Sequence, residues 1–265
     1  MLNKYITVFK TSWQNILTYR FNFLMGQLRS IIILILLYYI WAALSYKTGK
    51  FAGYSACELT TYVFLATIMK SVIFGPHICK IAEEINDGTF SKYLCMPISF
   101  PLFAFFRSLA EKTIYLISAI IEVSVFFFIL KEKIFFQTNF KQIIFFFLSL
   151  TMAYFIYFIL SFCIELLAFW SREAHCPIFL FTWISEFTSG EFYPIDIIFP
   201  SLFSVLKFLP FAYVLFYPAM IYLRIISGGE IIKVILIQLF WIMLFAFFAL
   251  FVWKKGLKKY SGEGI

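Results

Sequence analysis

The most polar stretch of the chain, residues 80–101, carries the side chains best suited to contact another protein. Its apolar positions, such as Ile81 and Ile85, form a broken stripe, and its polar face is built by Glu83, Glu84, Asp87 and Lys92. Gly88 interrupts the segment, and Pro97 and Pro101 are expected to end it before the next helix. A short amphipathic element of this kind is typical of docking against a soluble partner at a membrane surface. An ordinary connecting loop is the alternative.

The sequence contains no constellation that would support catalysis or metal binding. It has no Gly-x-x-x-x-Gly-Lys-Ser/Thr pattern, so it lacks the usual loop that holds nucleotide phosphates. His77 and His175 are far apart and do not have the paired spacing of a zinc site. Five cysteines are scattered without Cys-x-x-Cys spacing: Cys57, Cys79, Cys95, Cys163 and Cys176. We therefore expect no enzyme activity, no bound cofactor and no metal site in this chain.

Four charged residues fall inside long apolar segments: Arg29, Lys70, Glu122 and Glu165. A lone charge in hydrocarbon is costly, so pairing is the cheaper arrangement. We predict that Lys70 pairs with Glu122 at a matching depth and that Arg29 pairs with Glu165. Snorkelling to the interface is a further possibility for Arg29, and a role in a transport path is the alternative for all four.

Charges also occur at the start of the segment that follows the polar stretch. Arg107 and Glu111 are four residues apart, which places them on one face of a helix. We predict that they pair with each other.

The composition is that of a membrane protein. Of 265 residues, 63% are hydrophobic and only 14% are charged, which is outside the range of soluble domains. The net charge of +8 is assigned to loop lysines that meet anionic lipid headgroups, because no basic cluster is interleaved with exposed aromatic residues as nucleic-acid binding would require. We predict an all-α polytopic membrane protein with one transmembrane domain over residues 1–265. Its six spans are residues 21–44, 59–79, 102–130, 143–170, 177–188 and 230–253.

Residues 1–20 precede the first span and carry Tyr5, Phe9, Trp13 and Ile16 at steps of three or four. This spacing predicts an interfacial amphipathic helix, and the frayed start of the first span is the alternative. Six spans put both termini on one side of the membrane. That side holds more lysine and arginine, including the tail lysines, so we expect both termini and residues 80–101 to be cytoplasmic.

The region after the fifth span, residues 189–229, is apolar but broken by glycine and proline. Irregular backbone at membrane depth requires protein or water to satisfy its polar groups. We therefore predict that residues 194–224 form one or two short helices that dip into the outer leaflet and return. The aromatic residues of this region suit an amphiphilic or hydrophobic substrate, or equally an interfacial belt: Phe192, Tyr193, Phe208, Phe211 and Tyr213.

Three stretches carry a family resemblance. EEINDGTFSKYLCMPISFPL at residues 83–102 resembles the cytoplasmic loop between the second and third spans of the ABC type-2 permeases, the membrane subunits of ABC-2 exporters. SGEFYPID at residues 189–196, with FLPFAY at 208–213, resembles the segment before the last span of that family. WKKGLKKYSG at residues 253–262 resembles its C-terminal tail.

The resemblance implies a non-catalytic six-span permease in the inner (plasma) membrane of a prokaryote, which exports a substrate with the help of a separate nucleotide-binding ATPase subunit. ATP and Mg would then be bound by the partner, and the chain would form a homodimer or pair with a second, similar permease. The coupling helix against the ATPase would comprise Glu83, Glu84, Asp87, Gly88, Phe90, Lys92 and Tyr93. We predict that Asp87→Lys combined with Glu84→Lys uncouples ATP hydrolysis from transport without unfolding the protein.

The resemblance further implies that residues 190–217 form extracellular re-entrant helices that cover the exit route. The gate residues would be Gly190, Phe192, Tyr193, Pro194, Phe208, Pro210, Phe211 and Tyr213. A secondary transporter driven by an ion gradient is the alternative function. It would require a central carboxylate pathway, for which Glu122 and Glu165 are candidates, and usually an internal repeat, which the sequence does not show.

Overall fold

The computed structural model describes residues 2–18, 20–46, 49–74, 80–130, 134–171 and 173–260. These residues are almost all helical. A two-stranded antiparallel hairpin, β1 (Lys50–Phe51) and β2 (Tyr54–Ser55), pairs Lys50 with Ser55 and Phe51 with Tyr54. The helices are α1 (Leu2–Thr18), α2 (Arg20–Ser45), α3 (Ala56–Ile73), α4 (Lys80–Asn86), α5 (Ser91–Leu94), α6 (Phe100–Leu130), α7 (Phe140–Glu165), α8 (His175–Ser189), α9 (Pro200–Leu206), α10 (Phe216–Tyr222) and α11 (Gly229–Lys259).

Five of these helices are long and apolar enough to cross a membrane. They are α2, α3, α6, α11 and α7, the last continued by a 3-10 turn at Leu166–Phe169. Large apolar side chains point outward from them, among them Phe21, Phe128 and Phe247, each at least 70% exposed. Such a surface is stable only against hydrocarbon or another apolar partner. The chain is therefore an all-α, multi-pass membrane protein.

The predicted fifth span is α8, which has only 15 residues and a length of about 22 Å at 1.5 Å per residue. It is below the length of a straight span, as the sequence indicated. In the following region, Pro200–Leu206 and Pro210–Tyr222 form a pair of helical segments bent by 79°, a geometry shared by a broken sixth span and by the re-entrant helices that the sequence predicted. A 3-10 turn at Ile195–Ile197 precedes them, and a second at Pro210–Tyr213 begins the second segment.

Several boundaries follow from recognisable capping residues. Ser55 caps α3, and the side chain of Glu58 accepts a hydrogen bond from the Ser55 backbone N–H in return, which completes a capping box. Pro101 was expected to lie before the third span, but it is the second residue of α6. Proline is tolerated there because the first N–H groups of a helix have no intrahelical acceptor. The prediction for residues 75–79, at the end of the second span, lies outside the described residues.

Buried apolar residues form two separate clusters. The larger joins α2, α3, α7, α10 and the first half of α11. The smaller joins α4, α5, the start of α6, the end of α7 and the end of α11. The predicted coupling loop therefore has a hydrophobic core of its own, next to the ends of three spans.

Candidate coupling site and intramembrane charges

The segment predicted to act in coupling, residues 80–99 and called the coupling segment below, is a compact helix-turn-helix. After α4 the chain reverses at Gly88, whose φ of 73° lies in the left-handed region that favours glycine. The Phe90 N–H donates to the Glu84 carbonyl at 2.7 Å and closes this turn. The turn directs the Phe90 side chain into the protein.

Phe90 is fully buried at the centre of an aromatic cage. Its ring centroid lies 4.8 Å from Phe100 of α6, 5.6 Å from Phe169 after α7 and 6.0 Å from Trp253 of α11. Tyr260, which follows α11, is 5.2 Å away. Edge-to-face aromatic contacts at these distances add to the free energy of burial. One side chain thus connects the coupling segment to three helix ends.

The C-terminal end of the described chain is tied to the same turn by hydrogen bonds. The Tyr260 hydroxyl donates to the Gly88 carbonyl at 3.0 Å and lies 2.9 Å from Ser91 Oγ. Gly256 permits the approach of α11, because a β-carbon at this position would overlap the Phe169 ring. The end of α11 and Tyr260 therefore help to hold the coupling segment in place.

Glu84 points inward. Its Oε1 accepts hydrogen bonds from Arg107 Nη1 at 2.8 Å and from the Tyr93 hydroxyl at 2.7 Å. Burial raises the pKa of the Tyr93 hydroxyl above its usual value, and the nearby Glu84 carboxylate raises it further. This phenol therefore keeps its proton and remains a donor. The three side chains join α4 and α5 to α6.

Two further acidic residues, Glu111 of α6 and Glu165 of α7, bind the first turn of α4. Lys80 forms an ion pair with Glu111 of α6. The Ile81 N–H donates to Glu165 Oε2 of α7 at 3.0 Å, which places a carboxylate at the first turn of α4. The predicted pair of Arg107 with Glu111 is wrong, because each takes its partner from α4. Glu165 likewise contacts α4, and its predicted pair with Arg29 does not occur among the described residues.

The predicted coupling residues divide into two sets. Glu83, Asp87 and Lys92 are exposed, together with the apolar Leu94 and Met96. Glu84, Phe90 and Tyr93 face the bundle, and Gly88 forms the turn. Sequence reasoning missed the inward partners, which are remote in the chain: Glu111, Arg107, Phe169, Trp253 and Tyr260.

α1 lies along α6 and reaches the end of the coupling segment. Trp13 Nε1 donates to Thr113 Oγ1 at 2.8 Å, and Tyr5 stacks on Phe106 with ring centroids 5.4 Å apart. The Ser99 N–H donates to the Tyr5 hydroxyl at 3.1 Å. The aromatic face read from the sequence as a membrane anchor thus also contacts protein.

Lys70 does not pair with Glu122 as predicted. It forms an ion pair with Glu191, which directly follows Gly190 at the end of α8, and its Nζ lies 3.9 Å from Glu186 Oε1. Both carboxylate side chains are only 3% exposed. Lys70 occupies the last turn of α3, and the prediction failed because it compared the depths of two spans and did not consider acidic residues at the end of α8.

Glu122 has a different set of partners. It accepts hydrogen bonds from Ser30 Oγ of α2 at 3.0 Å and from Ser118 Oγ of α6 at 3.4 Å. Two hydroxyl groups, and not the predicted lysine, therefore donate hydrogen bonds to the Glu122 carboxylate. Arg29, one residue before Ser30, is exposed on α2.

The predicted gate residues are not all together. At the end of α8, Gly190 adopts a φ of 91°, and its carbonyl accepts a hydrogen bond from the Tyr62 hydroxyl. A β-carbon at Gly190 would lie 2.8 Å from that hydroxyl. Trp41 Nε1 donates to the Phe192 carbonyl at 3.2 Å, so α2 and α3 both hold this elbow, residues 189–194.

The remaining gate residues lie elsewhere in the broken region. Tyr193 is half-buried and its hydroxyl donates to the Phe187 carbonyl at 3.1 Å, while Pro194 is buried. Pro210 and Tyr213 belong to the core, and the Phe211 ring lies 6.2 Å from that of Phe181. Phe208 is 74% exposed and stands apart from them.

Among the described residues, no group of three His, Cys, Asp or Glu side chains is arranged to hold a metal ion. The described cysteines, Cys57, Cys95, Cys163 and Cys176, are free thiols. His77 and Cys79 lie outside the described residues. The described contacts of these sites are ion pairs, hydrogen bonds and packed aromatic rings.

Comparison with known proteins gives one assignment. No curated protein and no solved structure matches the chain. A family model described as "ABC-2 family transporter protein" matches residues 30–264, which include the coupling segment, the elbow and α11. The chain belongs to the ABC-2 transporter family.

Proposed function

We propose that this chain is the permease subunit of an ATP-binding cassette exporter and that a separate ATPase subunit supplies its energy. The single observation that carries the proposal is the attachment of the coupling segment to α6, α7 and α11 through Phe90. A force applied to the outer face of this segment reaches three helix ends, because packed aromatic side chains resist compression.

The proposed ATPase surface is the outer face of the coupling segment, where Glu83, Asp87 and Lys92 surround the apolar Leu94 and Met96. A mixture of exposed apolar and charged side chains at a compact site is typical of a protein interface. α1 lies beside this face and would share it. The proposal places both termini in the cytoplasm of a prokaryote, with ATP and Mg on the partner.

We propose two permeases in the assembly, either two copies of this chain or this chain with a similar one. α8 supports this, because Leu180 and Ile184 both remain exposed on a helix too short to cross the bilayer alone. The elbow and the bent pair after it would lie on the exit side. Their aromatic character suits an amphiphilic substrate moved out of the cytoplasm.

The test is purification of the tagged chain from its native membrane, followed by mass spectrometry and by transport in vesicles. We expect an ATPase to co-purify and substrate movement to require ATP. A second permease in the sample would establish a heterodimer. If the chain is isolated alone and a proton or sodium gradient drives transport without ATP, the proposal is wrong.

A secondary transporter is the second candidate, and the charges around Lys70 favour it. Two carboxylates on one lysine at membrane depth are the kind of group through which such carriers bind coupling ions. The same vesicle experiment separates the two candidates, because only the secondary transporter loses transport when an uncoupler collapses the gradient while ATP is maintained.

A further inference from the structure

We propose that the groove between α2 and α8 binds an acidic phospholipid from the surrounding bilayer, with the headgroup anion on Arg29. The groove has a volume of about 600 Å³ and is open on one side. Leu28, Arg29 and Ile32 of α2 line one wall, Trp183 and Phe187 of α8 line the other, and Phe192 also contributes to the lining. This inference concerns lipid binding and does not rest on the proposed function.

Arg29 is the only charged residue that lines this groove. It is nine residues from the start of α2, which corresponds to about 14 Å along the helix. Among the described residues, Arg29 forms neither a hydrogen bond nor an ion pair. A guanidinium group does not lose its proton in proteins, so an arginine at this depth needs an anion to be stable.

An acidic side chain within electrostatic reach of Arg29 is already engaged. Glu191 is close enough to feel the charge of Arg29, but its carboxylate is hydrogen bonded to Lys70. The guanidinium donors of Arg29 are therefore left to the groove. A phosphodiester suits them, because it can accept two parallel N–H hydrogen bonds from one guanidinium.

The walls of the groove suit an acyl chain. The rings of Trp183 and Phe187 stack with centroids 5.8 Å apart, and Phe187 lies 5.2 Å from Phe192. Leu28 and Ile32 are both more than half exposed. An apolar chain that covers these side chains gains free energy through dispersion contacts with a dense wall.

The geometry also selects a leaflet. Side chains on an α-helix point back toward its N-terminus, so the guanidinium lies nearer to the membrane face where α2 begins. A lipid of that leaflet reaches Arg29 with its headgroup while its chains run along α2. Because the groove opens sideways, the lipid enters from the bilayer.

The experiment measures lipid retained by the purified full chain, counted by native mass spectrometry after equilibration with phosphatidylglycerol or phosphatidylcholine. We expect the wild type to prefer phosphatidylglycerol about tenfold, which corresponds to about 1.4 kcal/mol. Arg29→Gln should lose this preference, and Arg29→Lys should keep part of it because the charge remains. Asn22→Ala, which changes an exposed polar side chain of α2 without removing a charge, is the matched control and should behave as the wild type does.

Two further arms identify the occupant. Glycerol phosphate, which carries the headgroup anion without chains, should not displace the lipid, and Trp183→Ala should weaken binding of both lipids. An unchanged preference in Arg29→Gln would overturn the proposal. Displacement of the lipid by glycerol phosphate would also overturn it. A third contrary result is a wild-type dimer that carries no lipid together with an Arg29→Gln monomer that does, because a second copy of the chain would then cover the groove.

Discussion

Glu84 of α4 and Arg107 of α6 form an ion pair with 2.8 Å between Oε1 and Nη1, and both side chains are largely shielded from solvent. The pair joins the coupling segment to a helix that spans the membrane. The Glu84 carboxylate also accepts a hydrogen bond from the Tyr93 hydroxyl, which attaches α5 to this ion pair. Glu84 therefore binds the segment to the rest of the protein, while its neighbour Glu83 is exposed and can contact a partner.

Charge reversal separates these two roles. Glu83→Lys with Asp87→Lys should weaken co-purification of the ATPase and uncouple hydrolysis from transport, because both side chains are exposed on the proposed interface. The thermal unfolding midpoint should not change. Glu84→Lys was predicted from the sequence to leave the fold intact, but the structure reverses this expectation. It should lower the midpoint, because it places a lysine against Arg107 and removes a buried partner. Equal effects of both changes on unfolding would contradict the division into an outer and an inner face.

The aromatic cage gives a second prediction. Phe90→Ala should destabilise the protein by about 3–5 kcal/mol, because a fully buried ring is replaced by a cavity. Leu94→Ala, four residues later and 49% exposed, should change stability little but reduce ATPase binding. Thermal unfolding in detergent and a pull-down of the ATPase measure both effects. A mild Phe90→Ala variant that still couples normally would show that the cage does not transmit force.

The sequence predicted the membrane class, the position of five spans and the weakness of the fifth, because long apolar runs and clusters of glycine and proline are local signals. It also placed the proposed coupling segment at residues 80–101, and its coupling role stays a prediction. It did not predict which of two adjacent glutamates faces inward. Glu83 and Glu84 are chemically identical, and only the position of Arg107, fixed by the packing of α4 on α6, distinguishes them.

The ion-pair predictions failed for a related reason. The depth of Lys70 was counted from a predicted outer end at residue 59, but α3 begins at Ala56, so Lys70 lies farther along its helix than expected. Its partners come from the elbow, whose placement depends on the left-handed conformation of Gly190 and on Tyr62. No periodic pattern in the sequence encodes such a contact between remote, irregular segments.

Gly256 offers a test of close packing between α11 and the end of α7. Gly256→Ala should destabilise the protein by about 1–3 kcal/mol, because the new methyl group would overlap the buried Phe169 ring. Gly229→Ala is the matched control, since a β-carbon there meets no atom within 4 Å and alanine favours a helix. Adding Phe169→Leu should recover part of the loss in Gly256→Ala. Thermal unfolding of the three variants and the wild type measures these effects, and equal behaviour of the two alanine variants would contradict the contact.

The last prediction concerns the charges at the elbow. Lys70→Met should destabilise the protein by about 3–5 kcal/mol, because it leaves the buried Glu191 and Glu186 carboxylates without their shared cation. Glu191→Gln should restore much of that stability in the double variant, since a neutral amide no longer requires a charged partner. Glu122→Gln should add independently to Lys70→Met, within about 0.5 kcal/mol, because Glu122 is bonded to Ser30 and Ser118 instead. Thermal unfolding of the single and double variants decides the matter: strong coupling between positions 70 and 122, with none between 70 and 191, would restore the pairing expected from the sequence and refute the one described here.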